Sequence, residues 1–134
     1  MVTALGFDYG VKRIGIAVGQ TLTKTATPLV TLPARAGQPD WQVLGRLLAE
    51  WRPDYLVVGM PSAADGQAHP LEAAIKRFGG RLLGRFGLPV LYVDERLSSH
   101  VASTMTNGSA IDAMAARLIL ETWLNTHHHA ASSA

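Results

Sequence analysis

The sequence predicts an α/β fold built on a central mixed sheet of five strands, the second antiparallel, flanked by helices. Three observations predict it. Two apolar runs at the start are joined by a tight turn, as in a hairpin. Two later runs, Tyr55 to Met60 and Val90 to Val93, are continuously apolar, as in strands buried on both faces. Segments with helical periodicity alternate with these later runs, which implies parallel addition and helices on both faces.

The first strand is the apolar run Val2, Ala4, Leu5, Phe7, and Asp8 closes it. Gly10 suits a turn with positive φ. Ile14 to Val18 is the second strand, with Gly15 and Gly19 leaving room for close backbone approach. Ala26 to Leu32 is the third; Pro28 within it requires an edge position or a late start. Pro33 to Pro39 reads as a loop. Asp40 is a suitable N-cap for a helix from Trp41 to Trp51, whose stripe is Val43, Leu44, Leu47, Leu48 and Trp51. After the strand YLVVGM, Pro61 to Pro70 is a loop around Asp65-Gly66. A helix from Leu71 to about Phe86 follows, with a kink expected at Gly79-Gly80. Leu97 to Gly108 is polar and yields at most a short helix up to about Met105. The last helix runs from about Ile111 to Leu124.

Composition bounds the chemistry. The chain has 134 residues, 48% hydrophobic and 16% charged, with net charge +2. That is one domain with ample core, taken as 1–126, and a flexible tail over 127–134 containing His127, His128 and His129. With no cysteine, thiolate catalysis and cysteine-ligated zinc are excluded. No apolar run approaches the ~20 residues of a membrane span, and no leader pattern opens the chain. A cytoplasmic protein without a membrane partner is expected. The mildly basic balance permits a nucleic-acid partner without demanding one.

Three carboxylates fall at element ends. Asp8 ends the first strand, Glu95 follows the last, and Asp112 stands in the first turn of the last helix. Ligands in open α/β sheets collect beyond the carboxyl ends of the parallel strands, so Asp8 and Glu95 can converge there. The final helix could bring Asp112 to them. Crowded carboxylates repel unless a divalent cation neutralises them, and hard oxygen donors suit Mg²⁺ or Mn²⁺. Two such ions about 3.5–4 Å apart can clamp the attacking water and the leaving oxygen of a phosphodiester. Each acid also has a plainer role open to it. Asp8 could hydrogen-bond its own turn. Asp112 could complete a capping box with Ser109. Glu95 could pair with Arg96 or Lys76, and Asp94 is its rival because strand neighbours face opposite ways. Lys12, Arg13 and Arg96 could hold phosphate oxygens. Ser98, Ser99 and His100 are candidate polar contacts, although a histidine such as His100 is more often a surface residue than a general base.

The segments FDYGVKRIGIAVG, VVGMP with Asp65-Gly66, VDERLSS and IDAMAARLILETWL together resemble the YqgF (RuvX) family of ribonuclease H-like proteins, collinearly from Thr3 to Leu124. The resemblance implies a ribonuclease H-like sheet and a nuclease that matures the 5′ end of pre-16S rRNA; an older assignment is Holliday-junction resolvase acting on branched DNA. It implies Asp8, Glu95 and Asp112 as the acidic, metal-holding set. Lys12, Arg13, Arg96, Ser98 and Ser99 then become nucleic-acid contacts. One departure stands out: Leu97 to Ile111 contains no Lys or Arg, where the family usually carries a longer, basic segment. That departure motivates an alternative, a non-catalytic nucleic-acid-binding or ribosome-assembly factor. The expected oligomeric state is a monomer or weak homodimer.

Overall fold

The computed structural model describes residues 2–61, 71–94 and 108–132, and the side chains of the last segment from 113 to 125. Strands β1 (Thr3–Asp8), β2 (Arg13–Gln20), β3 (Thr25–Arg35) and β4 (Gln38–Pro39) come first. Helix α1 (Trp41–Trp51), strand β5 (Tyr55–Met60), helix α2 (Glu72–Phe86), strand β6 (Val90–Asp94) and helix α3 (Gly108–Ser132) follow. The sheet order is β4-β3-β2-β1-β5-β6. β2 is antiparallel to β1 and β3, whereas β5 and β6 add in parallel beside β1.

The architecture is the expected one with one strand more. The stretch Pro33–Pro39 is not a loop. β3 extends to Arg35, the chain reverses at Ala36 (φ 53) and Gly37 (φ 78), and β4 pairs back through Ala34↔Pro39 and Arg35↔Gln38. Pro28 pairs with Ala17 of β2 on one side and lies where β3 has no described neighbour on the other, an edge position as expected. The register with β2 slips there, between Ile16 and Ala17.

Alternation divides the sheet into two faces. Leu5, Phe7, Ile16, Leu56 and Val58 pack against Leu44 and Leu48 of α1 and Ile75, Phe78 and Leu82 of α2. Ala4, Ala17, Val57 and Val93 face α3 instead, meeting Ala116, Ile119, Leu120, Trp123 and Leu124. The residues on the α3 side are small where the helix crosses, so the helix lies close. Ile119, Leu120 and Leu124 are at most 1% exposed. Burying each contributes roughly 1.5–3 kcal/mol, which holds α3 in place.

Local chemistry fixes the ends. Asp40 caps α1, its Oδ1 accepting from the N–H groups of Gln42 (3.0 Å) and Val43 (3.4 Å). Arg52 closes the helix in the left-handed region, its N–H donating to the Leu48 carbonyl at 2.7 Å. Asp54 clamps β5 to β1: its N–H donates to the Thr3 carbonyl (2.7 Å) and its Oδ2 accepts from the Thr3 N–H (3.1 Å). α2 is continuous from Glu72 to Phe86. Gly79 serves close packing there, since a Cβ on it would collide with the Tyr92 hydroxyl. The 61–70 loop beyond Pro61, and the short helix considered before Met105, lie outside the described residues. α3 begins at Gly108, earlier than expected, and its backbone stays helical to Ser132, beyond Leu124.

Candidate active site

Asp8 is the last residue of β1, half-buried, and pairs with Gly15 across the hairpin. It shares the strand face of Ala4 and Gly6, the face that α3 covers. β1, β5 and β6 end at the same edge, with Phe7 opposite Val58 and Met60 opposite Asp94. Asp8 therefore sits where parallel strands open a ligand crevice.

The turn that follows Asp8 is held from several sides. The Tyr9 side chain is buried, its hydroxyl donates to the Gly37 carbonyl at 2.8 Å, and its ring lies 5.1 Å from Phe78. The Gly37 N–H donates to the Val11 carbonyl (3.3 Å), and the Ala34 N–H to the Lys12 carbonyl (2.8 Å). The β3–β4 reversal thus braces the segment between Asp8 and Arg13. Gly10 does not take the positive φ expected of it. Its role is close approach, because a Cβ there would lie 2.6 Å from the Arg13 carbonyl oxygen. Lys12 and Arg13 are both exposed at this turn. Sequence reasoning assigned no role to Tyr9. The alternation Leu5, Phe7, Tyr9 was the available signal, since it marks Tyr9 as an inward residue carrying a hydroxyl that needs a partner.

α3 reaches the same edge by running antiparallel to β1. Gly19, opposite Ala4, meets Leu120 and Leu124; Gly6, two residues further along β1, meets Ala116 and Leu120. Two strand residues span about 6.6 Å and four helix residues about 6 Å, so the two registers keep step. One more turn back from Ala116 brings the α3 backbone at Asp112 to the level of Asp8. Because α3 begins at Gly108, Asp112 is not in the first turn, as had been expected, and Ser109 is inside the helix instead of capping it. The capping-box role for Asp112 is thereby removed.

Asp94 ends β6 on the face of Tyr92, which packs against Gly79 of α2. That face is opposite to Asp8, so Asp94 does not join it by strand alternation. Glu95, Arg96, Ser98, Ser99 and His100 lie outside the described residues, and of Asp112 the backbone is described. Among the described residues, no three His, Asp or Glu side chains cluster. The donors of the predicted set are all carboxylate oxygens, hard ligands that fit Mg²⁺ or Mn²⁺ and not a soft metal.

Comparison with known proteins identifies the family and the fold. A model of the RuvX family, described as Holliday junction resolvase, matches residues 2–126. A protein of Dechloromonas aromatica (strain RCB) named "Putative pre-16S rRNA nuclease" is 44% identical over 138 residues, covering 96% of this chain and 94% of its own. A protein of the same name from Paraburkholderia phytofirmans is 49% identical over 128 residues, covering 92% and 88%. Among solved structures, T. thermophilus RuvC in complex with Holliday junction substrate superposes with a TM-score of 0.58 at 15% identity, covering 94% of this chain and 98% of that one. The fowlpox virus Holliday junction resolvase gives 0.53 at 12% identity, covering 93% and 99%. At such identities these two establish the fold alone. The family match and the relatives establish more: this chain is a nuclease-family enzyme and belongs to the RuvX family.

Proposed function

We propose that this chain is a divalent-metal-dependent endonuclease acting on structured RNA, and that it trims the 5′ end of pre-16S rRNA in the cytoplasm. The crossing of α3 over Gly6 is the observation that carries the reading, because it runs the Asp112 backbone toward Asp8. Glu95, which follows Asp94 in the sequence, completes the carboxylate set that the sequence predicts. The names of the relatives supply the RNA substrate.

In this reading Asp8, Glu95 and Asp112 hold one or two Mg²⁺ or Mn²⁺ ions. When bound, such ions stabilise charge developing on the phosphoryl oxygens. Asp8 contributes a fixed ligand, because the turn beyond it is braced by Tyr9 and Gly37. Lys12 and Arg13, exposed beside it, hold non-bridging phosphate oxygens. Arg96, Ser98 and Ser99 contact the RNA backbone on the β6 side. The domain doing this work spans 1–126, with 127–134 as an appended tail.

The test is cleavage of precursor 16S rRNA by the purified protein in Mg²⁺ or Mn²⁺, beside its Asp8→Asn variant and a four-way DNA junction. Metal-stimulated cutting of the RNA that disappears in the variant supports the proposal. Equal cutting by the variant refutes the assigned site. Preferential cutting of the junction refutes the RNA assignment. Persistent RNA binding without metal-stimulated cutting would instead support the non-catalytic role.

A further inference from the structure

The basic surplus of this chain is concentrated on one helix. α2 carries Lys76, Arg77, Arg81 and Arg85 against the one acid Glu72, a net +3, whereas the whole chain carries +2. All four cations are exposed. Lys76 pairs with Glu72 at 3.5 Å, and the Arg85 guanidinium lies 4.5 Å over the Trp41 ring. Arg77 and Arg81 make no ion pair among the described residues.

Placement at 3.6 residues per turn orders this surface. The buried stripe is Ile75, Phe78, Gly79 and Leu82. Diametrically opposite, Ala73, Gly80 and Gly84 form a central line of small residues. Arg77, Arg81 and Arg85 stand along one side of it and Lys76 along the other. Gly80 and Gly84 lack a packing reason, since a Cβ on either meets no described atom within 4 Å. Glycine weakens an exposed helix, so two of them without a fold role call for another explanation. A shallow trough between cations is shaped for a phosphate ridge.

The helix that bears the trough lies on the sheet face opposite to Asp8 and begins near the active edge. Phe78 packs on Phe7 (5.7 Å) and Tyr9 (5.1 Å), and α2 ends at Gly87 just before β6 begins. The helix therefore starts near the carboxyl edge that bears Asp8 and runs back from it. The arginine row spans about 12 Å from Arg77 to Arg85. No aromatic side chain of α2 is exposed for base stacking, which disfavours a single strand and favours backbone contact with a duplex.

We propose that the outer face of α2 binds the sugar–phosphate backbone of a double-helical RNA segment flanking the cleavage site. This rests on the proposed RNA substrate. It adds a contact surface that makes up for the cation-free stretch from Leu97 to Ile111.

The experiment measures binding of the full chain to a duplex RNA of two helical turns in EDTA, across a salt series. Arg77→Gln/Arg81→Gln is compared with wild type. Each lost phosphate contact flattens the slope of log K against log salt by about 1. The double variant is then about 1.8 units shallower, and its deficit narrows about twelvefold between 50 and 200 mM salt. An unchanged slope would overturn the proposal. Gly80→Gln/Gly84→Gln fills the trough; a higher Tm with weaker binding is expected, and unweakened binding would overturn the proposed shape. Tighter binding to duplex DNA of equal length would overturn the assignment to RNA. Binding to phosphatidylglycerol vesicles but not to duplex would overturn it in favour of a membrane surface. Because EDTA prevents cleavage, a failure here leaves the Asp8 assay standing, and failure of that assay leaves this slope readable.

Discussion

Replacing Gly6 by alanine should injure stability and catalysis together, through one displacement. A Cβ at Gly6 would stand 2.8 Å from the Leu120 Cβ and 3.0 Å from the Ala116 carbonyl oxygen. Both atoms belong to, or sit directly on, the α3 backbone, so no flexible side-chain end can yield. Carbon atoms in contact settle at about 3.5–4.0 Å, so α3 must retreat by roughly 0.7–1.2 Å. Overpacking of this kind costs about 1–3 kcal/mol. At about 2.1 cal/mol/K per residue, the domain should melt roughly 4–11 °C lower. The retreat also moves the segment bearing Asp112 away from Asp8, and a misplacement near 1 Å can slow chemistry about 10²-fold. Differential scanning calorimetry and single-turnover cleavage measure the two effects. Gly84→Ala is the control: a Cβ there meets nothing within 4 Å. It should gain up to about 1 kcal/mol. A Gly6→Ala protein that melts and cuts like wild type would refute the placement of α3.

Three further outcomes follow from the same geometry. Tyr9→Phe removes the 2.8 Å bond to the Gly37 carbonyl. Denaturant titration should show a loss of about 0.5–1.5 kcal/mol, or more if that carbonyl stays unsatisfied. Asp40→Ala removes both cap bonds of α1. It should cost about 0.5–2 kcal/mol in the same assay. Burial raises the Tyr92 phenol above its usual pKa, opposed by nearby Lys76. The folded state then holds that proton more tightly than the unfolded chain does. Its stabilising contribution is complete below the ordinary phenol pKa and is lost as pH rises through the raised one. Thermal melts of Tyr92→Phe should lack that alkaline component.

What the sequence made legible was whatever a single period or a single cap decides. Trp41–Trp51 and Tyr55–Met60 were read to the residue, because Asp40 and an unbroken apolar run mark them. β4 was invisible: two residues ending in proline carry no period, and only the reversal at Ala36 and Gly37 makes them a strand. Gly10 was recognised as needing to be glycine, but for the wrong reason. Its constraint is a carbonyl brought near by the next strand, which no local propensity records. The ends of α3 escaped for a related reason: Ser, Gly and Ala flank its stripe without alternation, so its early start and the second-turn position of Asp112 could not be read. Asp8 was legible as an acid out of place. Asp112 was named as its partner from the sequence, and the crossing at Gly6 adds the register that runs the α3 backbone toward it.

In the proposed mechanism Asp8, Glu95 and Asp112 converge on a shared divalent ion. Crystals of the protein soaked in Mn²⁺, with anomalous scattering recorded, test it most directly. Manganese is expected at the carboxyl edge of β1, with oxygen ligands from all three side chains and no contact to Asp94. Manganese held without Asp8, or three carboxylates too far apart to share an ion in any rotamer, would contradict it.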